Sequence, residues 1–266
     1  MKRILTALVL IPLFVLAVLA ENPLYFQALI MAAGVLCAAE LERIARASGM
    51  TPFAFLGSFW ALGFLANAAW PGAVRLDVVL AAGFLALLAY GLWGRVEMPR
   101  VLASAGLALF TAGYAGYLLG FLITLKGLGE PFGAKLIFLM VIVVWTGDSA
   151  AYYVGSTVGK HKLAPLISPK KTWEGAAADV AGGVLGAAVA HWTFFRDLAW
   201  PHVIALGIAL SVVAQLGDAF ESVLKRGAGV KDSGALLPGH GGVLDRLDSL
   251  FFNGPLLFYY YQAFLR

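Results

Sequence analysis

Apolar runs that are long enough, or nearly long enough, to cross a lipid bilayer recur along the whole chain. A membrane-spanning helix needs about 20 predominantly apolar residues. Only 13% of the 266 residues are charged and 61% are hydrophobic, whereas a soluble domain carries about 25% charged residues. We therefore predict an all-α, polytopic integral membrane protein with about nine transmembrane helices. The nine candidate runs are 4–20, 24–39, 52–70, 78–93, 101–125, 136–154, 174–195, 201–224 and 250–265.

The distribution of basic residues predicts how these helices are oriented. With nine helices and a cytoplasmic N-terminus, most of the 19 lysines and arginines fall on the cytoplasmic side. The exceptions are Arg75, Lys126, Lys135, Arg196 and Arg266. Cytoplasmic loops of membrane proteins carry an excess of Lys and Arg. We therefore expect a cytoplasmic N-terminus, with the polar segments 160–172 and 222–248 on the same side.

Three features of the runs bear on the organisation of the chain. Residues 1–20 resemble a cleavable signal peptide, but the apolar run is long for one, so we expect it to be retained as the first helix. The run 101–125 is long enough to be either tilted or broken near Gly113, and we expect a kink at Pro255. The chain divides into an N-terminal helical region, 1–135, and a C-terminal catalytic region, 136–266.

A stripe of polar side chains follows the eighth run. At ~100° per residue, Gln215, Asp218, Glu221, Ser222 and Lys225 fall within an arc of about 120° on a helix. Such a stripe faces protein or a water-filled cavity rather than lipid. A hydrogen-bonding seam between helices would account for Gln215 and Ser222. It would not account for two carboxylates within one turn, because like charges repel unless a cation lies between them.

Acidic residues also mark the end of the segment 222–248. Asp245 and Asp248 are three residues apart, and they can share a face if the last helix begins there. Acidic oxygen ligands suit a hard cation such as Mg²⁺. We predict Asp218 and Asp245 as the magnesium ligands, with salt bridges to nearby basic residues as the alternative. Weaker candidate ligands are Asp148, Glu221 and Asp248.

Basic residues and glycines in the two polar segments predict a phosphate-containing substrate. Glycines let backbone N–H groups approach an anion. Ser168-Pro169 is typical of a helix start with Ser168 or Thr172 as its cap, and a helix N-terminus favours anions. The alternative is ordinary cytoplasmic lysines and a structural loop histidine. Asp179 and His191 we interpret as structural. We assign catalytic roles to Asp218, Asp245, Lys225, Arg226 and Arg246. We assign substrate binding to Ser168, Lys170, Lys171, Thr172, Ser222, Lys231, His240, Gly241 and Gly242.

The segment 222–248 resembles the signature of the phosphatidate cytidylyltransferases, the CDP-diacylglycerol synthases. The pattern is Ser-x-Leu-Lys-Arg, four residues, Lys-Asp, then Pro-x-His-Gly-Gly, then Asp-Arg-x-Asp. Every position is filled, by Ser222, Leu224, Lys225, Arg226, Lys231, Asp232, Pro238, His240, Gly241, Gly242, Asp245, Arg246 and Asp248. Residues 168–175 and the pair Gly147-Asp148 are similar to the family as well. The N-terminal helices resemble it only as a run of membrane helices.

The resemblance implies a reaction in which CTP and phosphatidate give CDP-diacylglycerol and pyrophosphate in the presence of Mg²⁺. It implies a homodimer in a bacterial-type inner membrane, with the active site on the cytoplasmic side and no nucleic-acid partner. In that family the acids corresponding to Asp218 and Asp245 hold the metal centre, for which a monovalent cation such as K⁺ is a second candidate.

Three other functions remain as alternatives. A CTP-dependent polyprenol or lipid kinase would transfer the γ-phosphate and release CDP rather than pyrophosphate. A transporter could use intramembrane acids as an ion path, but the charges cluster on one side and no paired broken helices occur in matching halves. A CDP-alcohol phosphotransferase would carry an Asp-Gly-rich signature with several aspartates, and the sequence lacks it.

Overall fold

The computed structural model describes residues 2–53, 55–94, 96–129, 132–237, 239 and 241–266. The described residues are mostly helical. The α-helices are α1 (Lys2–Leu19), α2 (Leu24–Ala47), α3 (Leu56–Ala69), α4 (Leu76–Trp93), α5 (Val101–Thr111), α6 (Leu119–Lys126), α7 (Phe132–Thr157), α8 (Trp173–Thr193), α9 (Trp200–Gly227) and α10 (Leu244–Phe264). Two short strands, β1 (Lys162–Ala164) and β2 (Ser168–Thr172), lie between α7 and α8.

These helices coincide with the nine predicted runs. A 3-10 turn at Met98–Arg100, α5, a π-helical segment at Ala112–Leu118 and α6 follow one another without a break. The described residues therefore form nine helical segments. Five of them are long and apolar enough to cross a membrane, judged by length and composition: Leu24–Ala47, Leu76–Trp93, Met98–Lys126, Phe132–Thr157 and Trp200–Gly227. The predicted all-α, membrane-type fold is confirmed, whereas the number of spans and the orientation of the N-terminus stay predictions.

The chain forms two compact units, each built from two stretches of sequence. The first unit comprises Met1–Gly127 and Leu224–Leu247, and the second comprises Leu128–Val223 and Asp248–Arg266. The division of the chain at residue 135 into a helical and a catalytic region stays a prediction.

The first unit packs α2, α3 and the π-helical segment closely together. Phe26 and Leu65 are fully buried in it. Gly116, in the π-helical segment, lies so close to the backbone of Ala61 that a Cβ atom would meet its carbonyl carbon at 2.9 Å. The widened turn therefore lies where the helix approaches α3. The helix is not broken near Gly113 but continues through a π-helical segment, and its tilt stays a prediction.

The second unit is organised by the close contact of α7 and α8. A Cβ atom on Gly182 of α8 would meet the carbonyl oxygen of Thr146 on α7 at 2.8 Å. Small residues at such positions let two membrane helices approach each other. This contact holds α8 against the face of α7 that carries Gly147.

The segment before α8 differs from the prediction. Ser168–Thr172 is a strand that pairs antiparallel with β1, with Lys162 opposite Thr172 and Ala164 opposite Ser168. Pro169 therefore does not start a helix, and Ser168 does not cap one. A two-stranded hairpin has only edge strands, where the missing N–H of a proline is tolerated. The cap is Thr172, whose Oγ1 accepts a hydrogen bond from Gly175 N at 3.1 Å.

Helices α9 and α10 extend over the residues for which the sequence predicted a polar stripe and a pair of acids on one face. α9 continues through Lys225, so the polar stripe lies on one unbroken helix. α10 begins at Leu244 and has Asp245 in its first turn, where a carboxylate interacts favourably with the helix dipole. Pro255 lies inside α10 and does not end it.

Candidate active site

Three carboxylates of the second unit meet closely enough to hold one metal ion. Asp218 and Glu221 come from successive turns of α9, and Asp248 comes from α10. One oxygen of each lies within 4.8 Å of the others. Gly217 makes this approach possible, because a Cβ atom there would lie 2.7 Å from the carbonyl oxygen of Asp248.

Two further acids belong to the same cluster. Asp179 of α8 is buried. Its carboxylate interacts electrostatically with Asp148 and Asp218. Asp148, at an exposed position on α7, also interacts with Asp248. We call Asp148, Asp179, Asp218, Glu221 and Asp248 the acidic cluster. Asp179 does not belong to the three carboxylates that could hold one ion, and its interpretation as a structural residue stays a prediction.

Lys171 of β2 contacts the acidic cluster directly. Lys171 Nζ lies 2.5 Å from Asp218 Oδ2, and both side chains are about a third exposed. The other oxygen, Asp218 Oδ1, accepts a long hydrogen bond of 3.4 Å from the Ser222 hydroxyl. These contacts fix the orientation of the Asp218 carboxylate.

The donor set of the acidic cluster fits a hard divalent cation. Its ligand atoms are all carboxylate oxygens, which Mg²⁺ prefers and for which softer metals compete less well. Carboxylates this close repel one another unless a cation or a proton lies between them. The residues best placed to hold the ion are Asp218, Glu221 and Asp248.

A second set of polar contacts lies in the first unit, around Asp245. Lys225 Nζ lies 2.6 Å from Asp245 Oδ1, and this ion pair is nearly buried. Asp245 Oδ2 accepts hydrogen bonds from Gly242 N at 2.8 Å and Ser233 N at 3.0 Å. Burial acts to raise the pKa of the Asp245 carboxyl, but Lys225 and the two N–H groups outweigh it and hold the pKa below its ordinary value. Asp245 precedes the apolar run 250–265.

Glu40 of α2 binds the same region, and the sequence analysis did not identify it. Its Oε1 accepts a hydrogen bond from Val243 N at 3.0 Å, and its Oε2 accepts one from Leu244 N at 2.8 Å. The Ser233 hydroxyl donates to Oε2 at 2.9 Å. The sequence signal for such a role is the position of Glu40 directly after the apolar run 24–39. A charged carboxylate beside apolar residues is costly unless it has partners.

An open cleft lies along the polar loop, by which we mean residues 228–243 between α9 and α10. The cleft has a volume of about 610 Å³, within the range of about 300–1,000 Å³ that is usual for small-molecule sites. Lys231 and Arg246, which line it, are exposed. Gly239 and Gly241 have φ values of 78° and 81°, a conformation that favours glycine. The other lining residues are Asp232, Gly234, Ala235 and Leu237.

The remaining predicted site residues take varied positions. Lys170 is exposed and Ser168 is partly buried, both on β2. Thr172 is buried and caps α8, so its hydroxyl already has a structural partner. Arg226 is exposed, and its Nη1 donates to Val230 O at 3.1 Å. His240 lies outside the described residues.

The predicted residues thus fall into two sets. The acidic cluster and Lys171 belong to the second unit, and Lys225, Asp245, Gly242 and the cleft belong to the first. The pairing of Asp218 with Asp245 at one metal ion stays a prediction.

One unit of this helical, membrane-type protein carries carboxylates suited to a divalent cation, and the other carries exposed cations beside a glycine-containing loop. Enzymes of phosphoryl transfer use groups of both kinds. The chain matches the model of the cytidylyltransferase family over residues 1–264, and it belongs to that family. It is therefore an enzyme of a nucleotidyltransferase family, as the resemblance of segment 222–248 predicted.

Several curated relatives carry the name phosphatidate cytidylyltransferase. The one from Bacillus subtilis is 33% identical over 268 residues, which cover 99% of this chain and 98% of the relative. The one from Staphylococcus aureus is 37% identical over 191 residues, covering 71% of this chain and 70% of the relative. The one from Brucella suis is 47% identical over 155 residues, covering 57% and 55%.

Proposed function

We propose that this enzyme transfers CMP from CTP to phosphatidate. The products are CDP-diacylglycerol, which is used for phospholipid synthesis, and pyrophosphate. The observation that carries the proposal is the similarity to the Bacillus subtilis phosphatidate cytidylyltransferase over 99% of the chain. A match of that length includes both the acidic cluster and the polar loop. The oxygen-only donor set and the exposed cations of the cleft support the same chemistry.

The proposed reaction exchanges one phosphoanhydride bond for another. A phosphate oxygen of phosphatidate attacks the α-phosphorus of CTP, and the bond from that phosphorus to the oxygen bridging to the β-phosphate breaks. The electron pair leaves with pyrophosphate. The attacking phosphate is already an anion, so it requires no strong general base. The main obstacle is repulsion between anions, which positioning and charge neutralisation overcome.

The acidic cluster is proposed to hold Mg²⁺ through Asp218, Glu221 and Asp248. The bound ion would supply positive charge to the phosphate oxygens. Lys171 keeps the Asp218 carboxylate oriented through their 2.5 Å contact. Asp245 remains a proposed ligand, and its contacts with Lys225, Ser233 and Gly242 already fix its position.

The exposed cations of the cleft are proposed to bind phosphate groups of the nucleotide. No ion pair of Lys231 or Arg246 occurs within the parts of the chain that the structure describes, so both charges face solvent. Backbone N–H groups near Gly239 and Gly241 can approach an anion closely. Lys170 and Arg226 are also exposed and would offset further charge.

The location of the reaction is proposed from the chemistry of its substrates. Phosphatidate keeps its acyl chains in the bilayer, whereas CTP arrives from water. We place the enzyme in a bacterial-type inner membrane with its active site on the cytoplasmic side, as a homodimer. The distribution of Lys and Arg supports this orientation.

Two radioactive labels in CTP test the proposed transfer. The purified protein is incubated with phosphatidate, Mg²⁺ and CTP that carries label on either the α- or the γ-phosphate. We expect α-label in the lipid product and γ-label in pyrophosphate, in equal amounts. Release of α-labelled CDP with γ-label in the lipid would identify a lipid kinase instead. Absence of any CTP turnover would contradict both activities.

A further inference from the structure

Glu40 is the point at which α2 contacts the polar loop at Ser233 and again where α10 begins. Its Oε2 accepts a hydrogen bond from the Ser233 hydroxyl near the start of the loop, and from Leu244 N at the start of α10. Its Oε1 accepts from Val243 N at 3.0 Å. A single carboxylate therefore joins Ser233 to Val243 and Leu244, which lie ten and eleven positions further along the chain.

The surroundings of Glu40 leave little room for another arrangement. The residue is 8% exposed. A Cβ atom on Gly242 or on Gly234 would collide with its carboxylate group. The first N–H groups of a helix have no partner within the helix, and a negative charge there also interacts favourably with the helix dipole. Glu40 thus acts as the cap of α10, although it comes from a distant helix.

Ser233 connects this cap to Asp245. Its hydroxyl oxygen lies 2.9 Å from Glu40 Oε2 and 3.0 Å from Asp245 Oδ2. The single hydroxyl proton can be donated to only one of the two carboxylates at a time, while Ser233 N donates to Asp245 throughout. The position of Glu40 is thereby coupled to that of the Asp245 carboxylate.

We infer that Glu40 is a positioning residue that fixes the polar loop and the first turn of α10, and so holds the cleft between Lys231 and Arg246 in shape. Glu40 does not line the cleft, and it acts through Ser233, Val243 and Leu244. The inference that the loop then binds CTP rests on the proposed function. The inference that Glu40 holds the loop in place does not depend on the proposed function.

Hydrogen exchange of the full-length protein tests the inference independently of activity. The side chain of glutamine has one acceptor oxygen where glutamate has two. In Glu40→Gln one N–H group of the loop therefore faces an NH₂ group instead of an acceptor oxygen. Because hydrogen bonds to charged groups are worth about 1.5–3 kcal/mol, we expect exchange of the amides in residues 231–244 to accelerate about tenfold or more. Peptides of α7 and α8 should exchange at the wild-type rate.

Glu42→Gln is the matched control. Glu42 lies on the same helix and is 3% exposed, but its partners are Arg46 and Ser58, both at 3.2 Å. We expect the control to leave exchange in residues 231–244 unchanged. Wild-type exchange in Glu40→Gln, or an equal acceleration in Glu42→Gln, would overturn the inference.

Two further measurements keep the inference testable. Ser233→Ala removes only the hydroxyl donor, so it should accelerate exchange in the same amides by a smaller factor. If Glu40→Gln does not fold, unchanged hydrogen exchange of the loop amides in Ser233→Ala would overturn the inference.

With CTP turnover as the readout, Glu40→Gln should raise the KM for CTP about tenfold while the KM for phosphatidate stays close to wild type. An equal rise in both KM values would contradict a role of Glu40 at the cleft. If the wild-type enzyme showed no CTP turnover, this would refute the proposed function but not the inference about Glu40.

Discussion

Asp218 takes part in three interactions that bear on the proposed reaction. It pairs with Lys171, accepts a hydrogen bond from Ser222, and contributes an oxygen to the group formed with Glu221 and Asp248. Replacing it with asparagine removes the charge and keeps the shape, which makes that substitution the most direct test of the acidic cluster.

We expect Asp218→Asn to lower CTP turnover by about 100-fold or more, because a preorganised charge would be lost from the reacting centre. Membrane insertion and yield should not change. The matched control is Asp77→Asn, which alters an exposed aspartate paired with Arg75 at the start of α4 and should retain activity. Activity close to wild type in Asp218→Asn would refute the metal assignment.

Asp245 should contribute to stability in a pH-dependent manner. Its folded pKa lies below the ordinary value of 3.8, so its stabilising effect is present above that value and is lost as the pH falls through the folded pKa. We expect the unfolding temperature of the wild type to fall between about pH 5 and pH 2 more steeply than that of Asp245→Asn. Parallel curves for the two proteins would show that the buried contacts of Asp245 contribute nothing to this dependence.

The start of α8 shows how a short strand and a helix are joined. Thr172 ends β2 in an extended conformation, with φ −129° and ψ 156°, and it offers its hydroxyl to Gly175 N. The same residue therefore pairs in the hairpin and caps the helix. This junction carries Lys171, which contacts Asp218, so its geometry affects the acidic cluster.

We expect Thr172→Ala to destabilise the protein by about 1 kcal/mol through loss of the cap. Thr172→Ser keeps the capping oxygen and should recover most of this loss. Ser168→Ala, on the same strand, should leave the unfolding temperature unchanged because Ser168 does not cap α8. Thermal unfolding in detergent measures all three, and a larger effect of Ser168→Ala than of Thr172→Ala would contradict the assignment of the cap.

The complete enzyme should depend on a dissociable divalent cation. We expect EDTA to abolish CTP turnover and added Mg²⁺ to restore it, because the carboxylates of the acidic cluster repel one another without a cation. Turnover that resists EDTA would argue against this centre. Adding K⁺ to the Mg²⁺-restored enzyme tests the predicted monovalent cation separately.

The helices and much of their polar pattern follow from the amino-acid sequence alone. Hydrophobicity over a window of bilayer length is a local property, so the nine runs coincide with nine helical segments in the described residues. The stripe on α9 and the start of α10 near Asp245 follow from the same local periodicity. The signature in residues 222–248 likewise identified the family before any contact was known.

Contacts between residues that are distant in the sequence become visible only in the folded protein. Glu40 lies 193 positions from Ser233, and Asp179 on α8 interacts with Asp218 on α9, so no local pattern could predict either contact. The hairpin before α8 was missed because Ser168-Pro169 fits both a helix start and an edge strand. Local periodicity predicts which residues form a helix, but contacts between distant segments depend on how the helices pack.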